Sequence, residues 1–89
     1  MDDRITLAAA RVNAGYKQKD AALLLGISAR TLRNYENDGG RVPSDTATRM
    51  AGLYHVSKPR LFFGTKAAYY RMMEGDQDDG SETGSQADR

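Results

Sequence analysis

Residues 26 to 38 read GISARTLRNYEND, and this stretch decides how the rest of the chain is interpreted. Gly26 can adopt the left-handed backbone conformation that ends a helix, and Ser28 is a residue type that favours the N-cap position of the next helix. The turn-forming residues Asn37-Asp38-Gly39-Gly40 then mark the end of that helix. The stretch therefore predicts a short helix that begins just after a tight turn.

The predicted helix has two different faces. With its first residue at 0° on a helical wheel and about 100° per residue, Thr31, Leu32 and Tyr35 fall between about 200° and 300°. The opposite face, between about 0° and 140°, carries side chains that can contact base edges in a DNA major groove, where arginine pairs with guanine, asparagine with adenine, and alanine touches a thymine methyl. An ordinary solvated helix face is the alternative. The candidate base-contacting residues are Ala29, Arg30, Arg33 and Asn34.

The chain carries its charge unevenly. Its 89 residues have a formal net charge of +1, but residues 1–74 contain 12 Lys and Arg against 7 Asp and Glu, a net of +5. Residues 75–89 contain 1 against 5, a net of −4, and no large apolar residue. This distribution is typical of a nucleic-acid binder whose tail is disordered or a linker. A solvated surface with an incidental tail is the alternative, because +5 is only mildly basic.

Helical periodicity and capping residues predict an all-α fold. Apolar residues recur at spacings of three and four, glycines follow the predicted helix ends, and the alternating β-branched runs that mark strands are absent. Ser57 is expected to cap a fifth helix that Gly64 closes. The first two predicted helices are 3–14 and 18–25. The third runs from Ser28 to about Asn37, the fourth from Ser44 or Asp45 through Tyr54, and the fifth over 57–64, with a possible sixth at 65–74.

The segment GYKQKDAALLLGISARTLRNYEN strongly resembles the helix-turn-helix of the phage repressor and Cro (XRE-like) family. The resemblance covers roughly residues 4–64 and implies a compact five-helix, lambda-repressor-like domain. It further implies a bacterial or phage transcription regulator that acts in the cytoplasm and reads operator half-sites with its third helix. The matched positions are Arg11, Gly15, Gln18, Ala22, Gly26-Ile27-Ser28, Leu32, Glu36, Pro43 and the MAGLYHVS stretch.

The resemblance also implies roles for individual residues. Gln18 at the start of the second helix would bond a backbone phosphate, and Arg11 and Glu36 would form a partly buried ion pair between the first and third helices. Two surface charges without energetic consequence are the alternative for that pair. The further candidates for sequence-independent phosphate contacts are Lys17, Lys19, Thr31, Asn37 and Arg41.

Three segments are predicted: a DNA-binding domain at 1–64, a helical extension at 65–74, and an acidic Gly/Ser-rich tail or linker at 75–89. Because one recognition helix contacts only a few base pairs, a homodimer on a palindromic operator is expected, at least on DNA. Folding of the extension back over the fourth and fifth helices is the alternative to a dimer interface. The candidate dimer contacts are Phe62, Phe63, Tyr69, Met72 and Met73.

Other functions have less support from the sequence. The chain has no cysteine and a single histidine, His55, so no cofactor, metal site, small-molecule ligand or enzymatic activity is expected. No stretch has the 18 apolar residues that a membrane span requires. A helix-turn-helix used for protein contact, as in some antitoxins and adaptors, is the alternative function. Leu23 lies outside the apolar arc of the second helix, either as a common exposed leucine or as part of a contact surface. Both a complete small repressor and the N-terminal part of a longer one remain open.

Overall fold

The computed structural model describes residues 3–75. These residues form five α-helices, two short 3-10 helices and two very short strands, which agrees with the predicted all-α class. In chain order they are β1 (Ile5–Thr6), α1 (Leu7–Asn13), α2 (Gln18–Leu25), α3 (Ala29–Asn37), a 3-10 helix at Gly39–Arg41, α4 (Ser44–Tyr54), a second 3-10 helix at Lys58–Arg60, β2 (Leu61–Phe62) and α5 (Lys66–Gly75).

Local sequence signals set the bounds of α2 and α3. Gly26 has φ 73° and ends α2 in the left-handed conformation, which costs a glycine little. Two residues later, the Ser28 hydroxyl accepts a hydrogen bond from the Thr31 N–H at 3.0 Å and caps α3. By contrast Lys17, at the N-cap of α2, makes no side-chain capping bond. The tight turn between the two helices therefore follows from Gly26 and Ser28.

The core lies where α1, α2, α3 and α4 meet. Its largest fully buried side chains are Leu25, Leu32 and Met50, one from each of the last three of these helices. Ala10, Ala21 and Ala22 are also buried, and their small side chains allow the helix axes to approach closely. The third helix is thus fixed by its inward residues, and its outward side chains can be placed accurately against a partner.

The N-terminal segment differs from the prediction. The first helix was expected to begin at Asp3, but α1 begins at Leu7, where the Thr6 hydroxyl accepts a bond from the Ala9 N–H at 3.1 Å. Residues 5 and 6 instead form β1, which pairs in parallel with β2 in the register Ile5 to Leu61. The expectation of no strands was therefore wrong in this detail. A two-residue pairing leaves no periodic pattern in the sequence, because it depends on a contact between distant segments.

The predicted helix at 57–64 was also wrong. Ser57 makes no side-chain capping bond, and the segment contains only the 3-10 turn at Lys58–Arg60 before the chain extends as β2. The fifth α-helix is instead the predicted sixth, and the Thr65 hydroxyl accepts a hydrogen bond from the Ala68 N–H at 3.0 Å at its start. Apart from Gly75, the predicted acidic tail at 75–89 lies outside the described residues.

The C-terminal helix α5 packs against the N-terminal segment. The Tyr69 hydroxyl donates to the Arg4 carbonyl oxygen at 3.1 Å, and the Arg4 guanidinium contacts the Met72 sulfur at 2.9 Å. The same guanidinium lies 5.3 Å from the centre of the Phe62 ring, which in turn makes an edge-on contact with Tyr69. Arg4 thus joins α5 to the paired strands.

Candidate nucleic-acid interface

The outward face of α3 is exposed along its length. Arg30, Arg33 and Asn34 are exposed, as is Ala29 at the start of the helix. On the opposite side Leu32 is fully buried and Glu36 is 8% exposed. The helix therefore has one buried face that fixes it to the core and one polar face available for contact. The structure brings the four predicted base-contacting residues together on that free face.

The start of α3 is held by two hydrogen bonds between Ser28 and Thr31. Besides capping the helix, the Ser28 hydroxyl hydrogen-bonds the Thr31 hydroxyl at 2.9 Å. Thr31, one of the predicted phosphate contacts, is half-buried, and its hydroxyl already accepts this bond from Ser28. The exposed N-terminal turn also places the positive end of the helix dipole at the surface, which favours anions nearby.

Apart from Thr31, the predicted phosphate-contacting residues lie at the start of α2 and from the end of α3 into the following 3-10 helix. Lys17 and Lys19 are exposed at the start of α2, whereas Asn37 and Arg41 are exposed at the end of α3 and in the following 3-10 helix. Gln18 is half-buried, and its side-chain amide donates to Glu36 Oε1 at 3.0 Å. This contact was not predicted, because sequence pattern alone gives no sign of which side chain faces Gln18 across two helices.

A polar network joins α1, α2 and α3 beneath the exposed face. Arg11 Nε donates to Glu36 Oε2 at 2.6 Å, and Arg11 Nη1 donates to the Tyr16 carbonyl at 2.9 Å. With Gln18 bound to Oε1, both carboxylate oxygens of Glu36 have donors. The Arg11 and Glu36 side chains are 13% and 6% exposed, so the pair is largely desolvated. This network holds the start of α2 and the end of α3 in a fixed relation.

Tyr54 packs beside this network. It is buried, its ring centre lies 6.4 Å from that of Tyr16, and its hydroxyl has no hydrogen-bond partner among the described residues. Burial and, secondarily, the negative charge of Glu36 raise the pKa of Tyr54 to about 12, against an opposing effect of Arg11. The hydroxyl is therefore held in its neutral form beside the ion pair.

The five predicted dimer-contact residues have different surroundings. Phe62, Tyr69 and Met72 contact one another or Arg4 within the chain, and Phe63 packs against the core. Met73 is half-buried. The sequence did not single out Tyr70, which is 60% exposed on the same helix and stacks edge-on against Tyr69. Helical spacing alone would have placed Tyr70 opposite Met72. It could not have shown that Arg4 covers the Met72 side of the helix.

Among residues 3–75, no group of three or more His, Asp or Glu side chains could hold a metal ion. In the same range, none of the helices has the length and apolar character needed to cross a membrane.

Comparison with known proteins agrees with this geometry. A family model described as "Helix-turn-helix" matches residues 7–61, which run from the start of α1 to β2. The chain belongs to the helix-turn-helix family. This match confirms the assignment made from residues 26–38 and their neighbours, and its range includes the turn at Gly26 and Ser28.

One helix-turn-helix relative is "HTH-type transcriptional regulator ImmR" of Bacillus subtilis (strain 168). It is 45% identical to this chain over 55 residues, which are 62% of this chain and 43% of ImmR. The matched part thus spans less than half of that relative. The similarity covers the length of a helix-turn-helix domain.

Proposed function

We propose that this protein is a sequence-specific, double-stranded-DNA-binding transcription regulator of the Cro/repressor type, acting in the bacterial cytoplasm. Its α3 enters the major groove of an operator half-site, with Ala29, Arg30, Arg33 and Asn34 against base edges. Residues at the start of α2 and around the end of α3 bind phosphates and set the register of α3 on the duplex.

The exposed polar face of α3 carries this proposal. Arg33 and Asn34 are adjacent on a capped helix whose opposite face is held by Leu32 and Glu36, so their position does not depend on a mobile loop. Exposed cations lie before and after this face, at Lys17, Lys19 and Arg41. The relative named as a transcriptional regulator, ImmR, supports the same function.

The test separates base contacts from phosphate contacts. Binding sites are first selected from random duplexes, and binding to cognate and random DNA is then measured at several salt concentrations. Arg33→Ala should cost about 1–3 kcal/mol on the cognate site and relax the preference at one base position. Arg41→Ala should weaken binding to both DNAs alike. It should also reduce by about 1 the salt slope, which is the slope of log affinity against log salt concentration. Identical behaviour of the two variants on both DNAs would contradict a base-reading role for α3.

We further propose that the protein binds a palindromic operator as a homodimer through its C-terminal helix. Contacts within the chain use Phe62, Tyr69 and Met72 to hold α5, so the helix would meet a second copy mainly through Tyr70 and Met73. A dimer places two recognition helices on half-sites about one helical turn apart.

The dimer is tested by sedimentation and by binding to a palindrome and to an isolated half-site. Tyr70→Asp should lower association and remove the preference for the palindrome, while leaving half-site binding unchanged. Arg71→Ala, a change of an exposed neighbour, is the matched control. If Tyr70→Asp keeps both the association state and the palindrome preference, α5 is not the interface.

An observation on α2 favours a second function, protein contact. Leu23 is 78% exposed and Leu24 is 61% exposed, and adjacent exposed leucines suit a protein partner better than a DNA backbone. If selection from random duplexes enriches no sequence, and binding shows no salt dependence, this second function replaces the first.

A further inference from the structure

The turn that follows α3 meets the segment just before α5 through a backbone hydrogen bond and a β-bridge. The Gly39 N–H donates to the Gly64 carbonyl at 2.8 Å, and Asp38 and Thr65 form an antiparallel bridge beside it. Gly39 is buried although it belongs to a turn. The end of the proposed recognition helix is therefore attached directly to the C-terminal segment.

This close approach leaves little room for a side chain at position 39. A Cβ atom there would lie 3.0 Å from Phe63 Cα, 3.1 Å from the Gly64 nitrogen and 3.3 Å from the Phe62 carbonyl oxygen. All three are backbone atoms, so no side chain can rotate to make room. A Cβ on the neighbouring Gly40 would approach only Asp38 Oδ1, at 3.2 Å, which belongs to a side chain.

The same turn carries Arg41, which the proposed function assigns to a phosphate. The Arg41 N–H donates to the Asp38 carbonyl at 3.2 Å, and the Val42 N–H donates to the Gly39 carbonyl at 3.2 Å. These bonds close the 3-10 helix Gly39–Arg41, so a displacement of Gly39 moves Arg41 with it. The other side of the contact is held by the pairing of β2 with β1 and by the packing of α5 on Arg4.

We propose that Gly39 is a positioning residue for DNA binding: its direct backbone contact with Gly64 sets the place of Arg41 against the DNA backbone. The C-terminal segment thus helps to define the DNA-binding surface without touching DNA. This inference rests on the proposed DNA-binding function. DNA binding would then depend on a residue with no side chain, Gly39, and on its contact with a segment distant in sequence.

The test compares Gly39→Ala with Gly40→Ala in the full-length protein, at a temperature where both variants are folded by circular dichroism. The two changes add the same methyl group to neighbouring residues of one turn, and neither glycine has a positive φ. Gly39→Ala should weaken binding to cognate and random DNA alike and reduce the salt slope by about 1, as Arg41→Ala does. Gly40→Ala should keep the wild-type slope.

A purely structural role for Gly39 predicts something else. A partly unfolded variant has a lower apparent affinity but contacts the same number of phosphates, so its salt slope stays at the wild-type value. If Gly39 acts through Arg41, the Gly39→Ala/Arg41→Ala double variant should have the slope of Arg41→Ala alone. A wild-type slope for folded Gly39→Ala, or a double variant that loses a further unit, would overturn the proposal.

A second variant covers the case in which Gly39→Ala does not fold. In Gly64→Ala the new Cβ would lie 2.8 Å from the Phe62 ring, which is packed against Tyr69 and Arg4. We therefore expect the backbone at residue 64 to shift, together with the carbonyl that accepts the Gly39 hydrogen bond, and the salt slope to fall similarly. If neither variant folds, the contact serves folding and the positioning role is rejected. If the wild-type protein shows no salt-dependent binding to duplex DNA, the proposed function itself fails. If the wild type binds DNA and Gly39→Ala has the same salt slope, the positioning role is rejected but the proposed DNA-binding function stands.

Discussion

The ion pair Arg11–Glu36 and the ion pair Arg60–Asp3 join distant segments with the same chemical groups, yet their surroundings differ. The first pair is 2.6 Å apart with side chains 13% and 6% exposed, whereas the second is 3.8 Å apart with side chains 50% and 80% exposed. Water and salt weaken the attraction in the second pair, while the first has lost its hydration and gained fixed hydrogen bonds.

The difference shows that burial and further partners decide what an ion pair contributes. Glu36 accepts bonds from both Arg11 and Gln18, and Arg11 also reaches the Tyr16 carbonyl, so removing one member leaves several groups unsatisfied. Within residues 3–75, a single long contact at the surface joins the Arg60 and Asp3 side chains.

The largest expected effect is on stability when the buried pair is broken. Glu36→Ala and Arg11→Ala should each reduce the free energy of unfolding by about 2–4 kcal/mol, since each leaves a desolvated charge without its main partner. The double variant should lose less than the sum of the two. Urea unfolding of the four proteins gives the coupling energy, and strict additivity would show that the two residues do not interact.

A second prediction uses Tyr54, which lies beside the buried pair. Since burial raises its folded-state pKa to about 12 from an unfolded value near 10, the unfolded chain releases this proton first as the pH rises. The stabilisation present below pH 10 is therefore lost between pH 10 and 12, by roughly 2–3 kcal/mol. Tyr54→Phe should not show this part of the loss.

Unfolding measured at pH 7 and at rising alkaline pH tests this prediction. At pH 7 Tyr54→Phe should be as stable as wild type or slightly more stable, because the buried hydroxyl has no partner among the described residues. Parallel alkaline losses in wild type and Tyr54→Phe would show that Tyr54 ionises equally in both states, and that burial beside Glu36 has no effect on it.

Much of the central fold could be predicted from local sequence. Gly26 and Ser28 define the turn, and helical spacing places Leu32 and Arg33 on opposite faces of α3. Both signals act within a few residues. The Arg11–Glu36 pair was expected from the family resemblance alone. The spacing of the two residues along the chain gives no indication of that contact.

The outer parts could not be predicted in the same way. The pairing of Ile5 with Leu61 and the contact of Gly39 with Gly64 are each made by segments far apart in sequence. Gly39 and Gly40 look equally like turn residues, and only the packed structure shows that a methyl group would meet backbone atoms at Gly39 but a side-chain oxygen at Gly40. Likewise Gln18 faces Glu36 because α2 and α3 cross there.

The smallest expected effect is at the exposed pair, and it tests the comparison from the other side. Arg60→Met removes the charge but keeps much of the aliphatic side chain, so the free energy of unfolding should change by less than about 0.5 kcal/mol. Raising the salt concentration should remove even this difference, because salt screens exposed charges. The loss caused by Glu36→Ala should persist at high salt, since the side chain of its partner Arg11 is only 13% exposed. Urea unfolding of wild type, Arg60→Met and Glu36→Ala at low and high salt measures both. A loss above 2 kcal/mol for Arg60→Met, or disappearance of the Glu36→Ala loss at high salt, would show that exposure does not separate the two pairs.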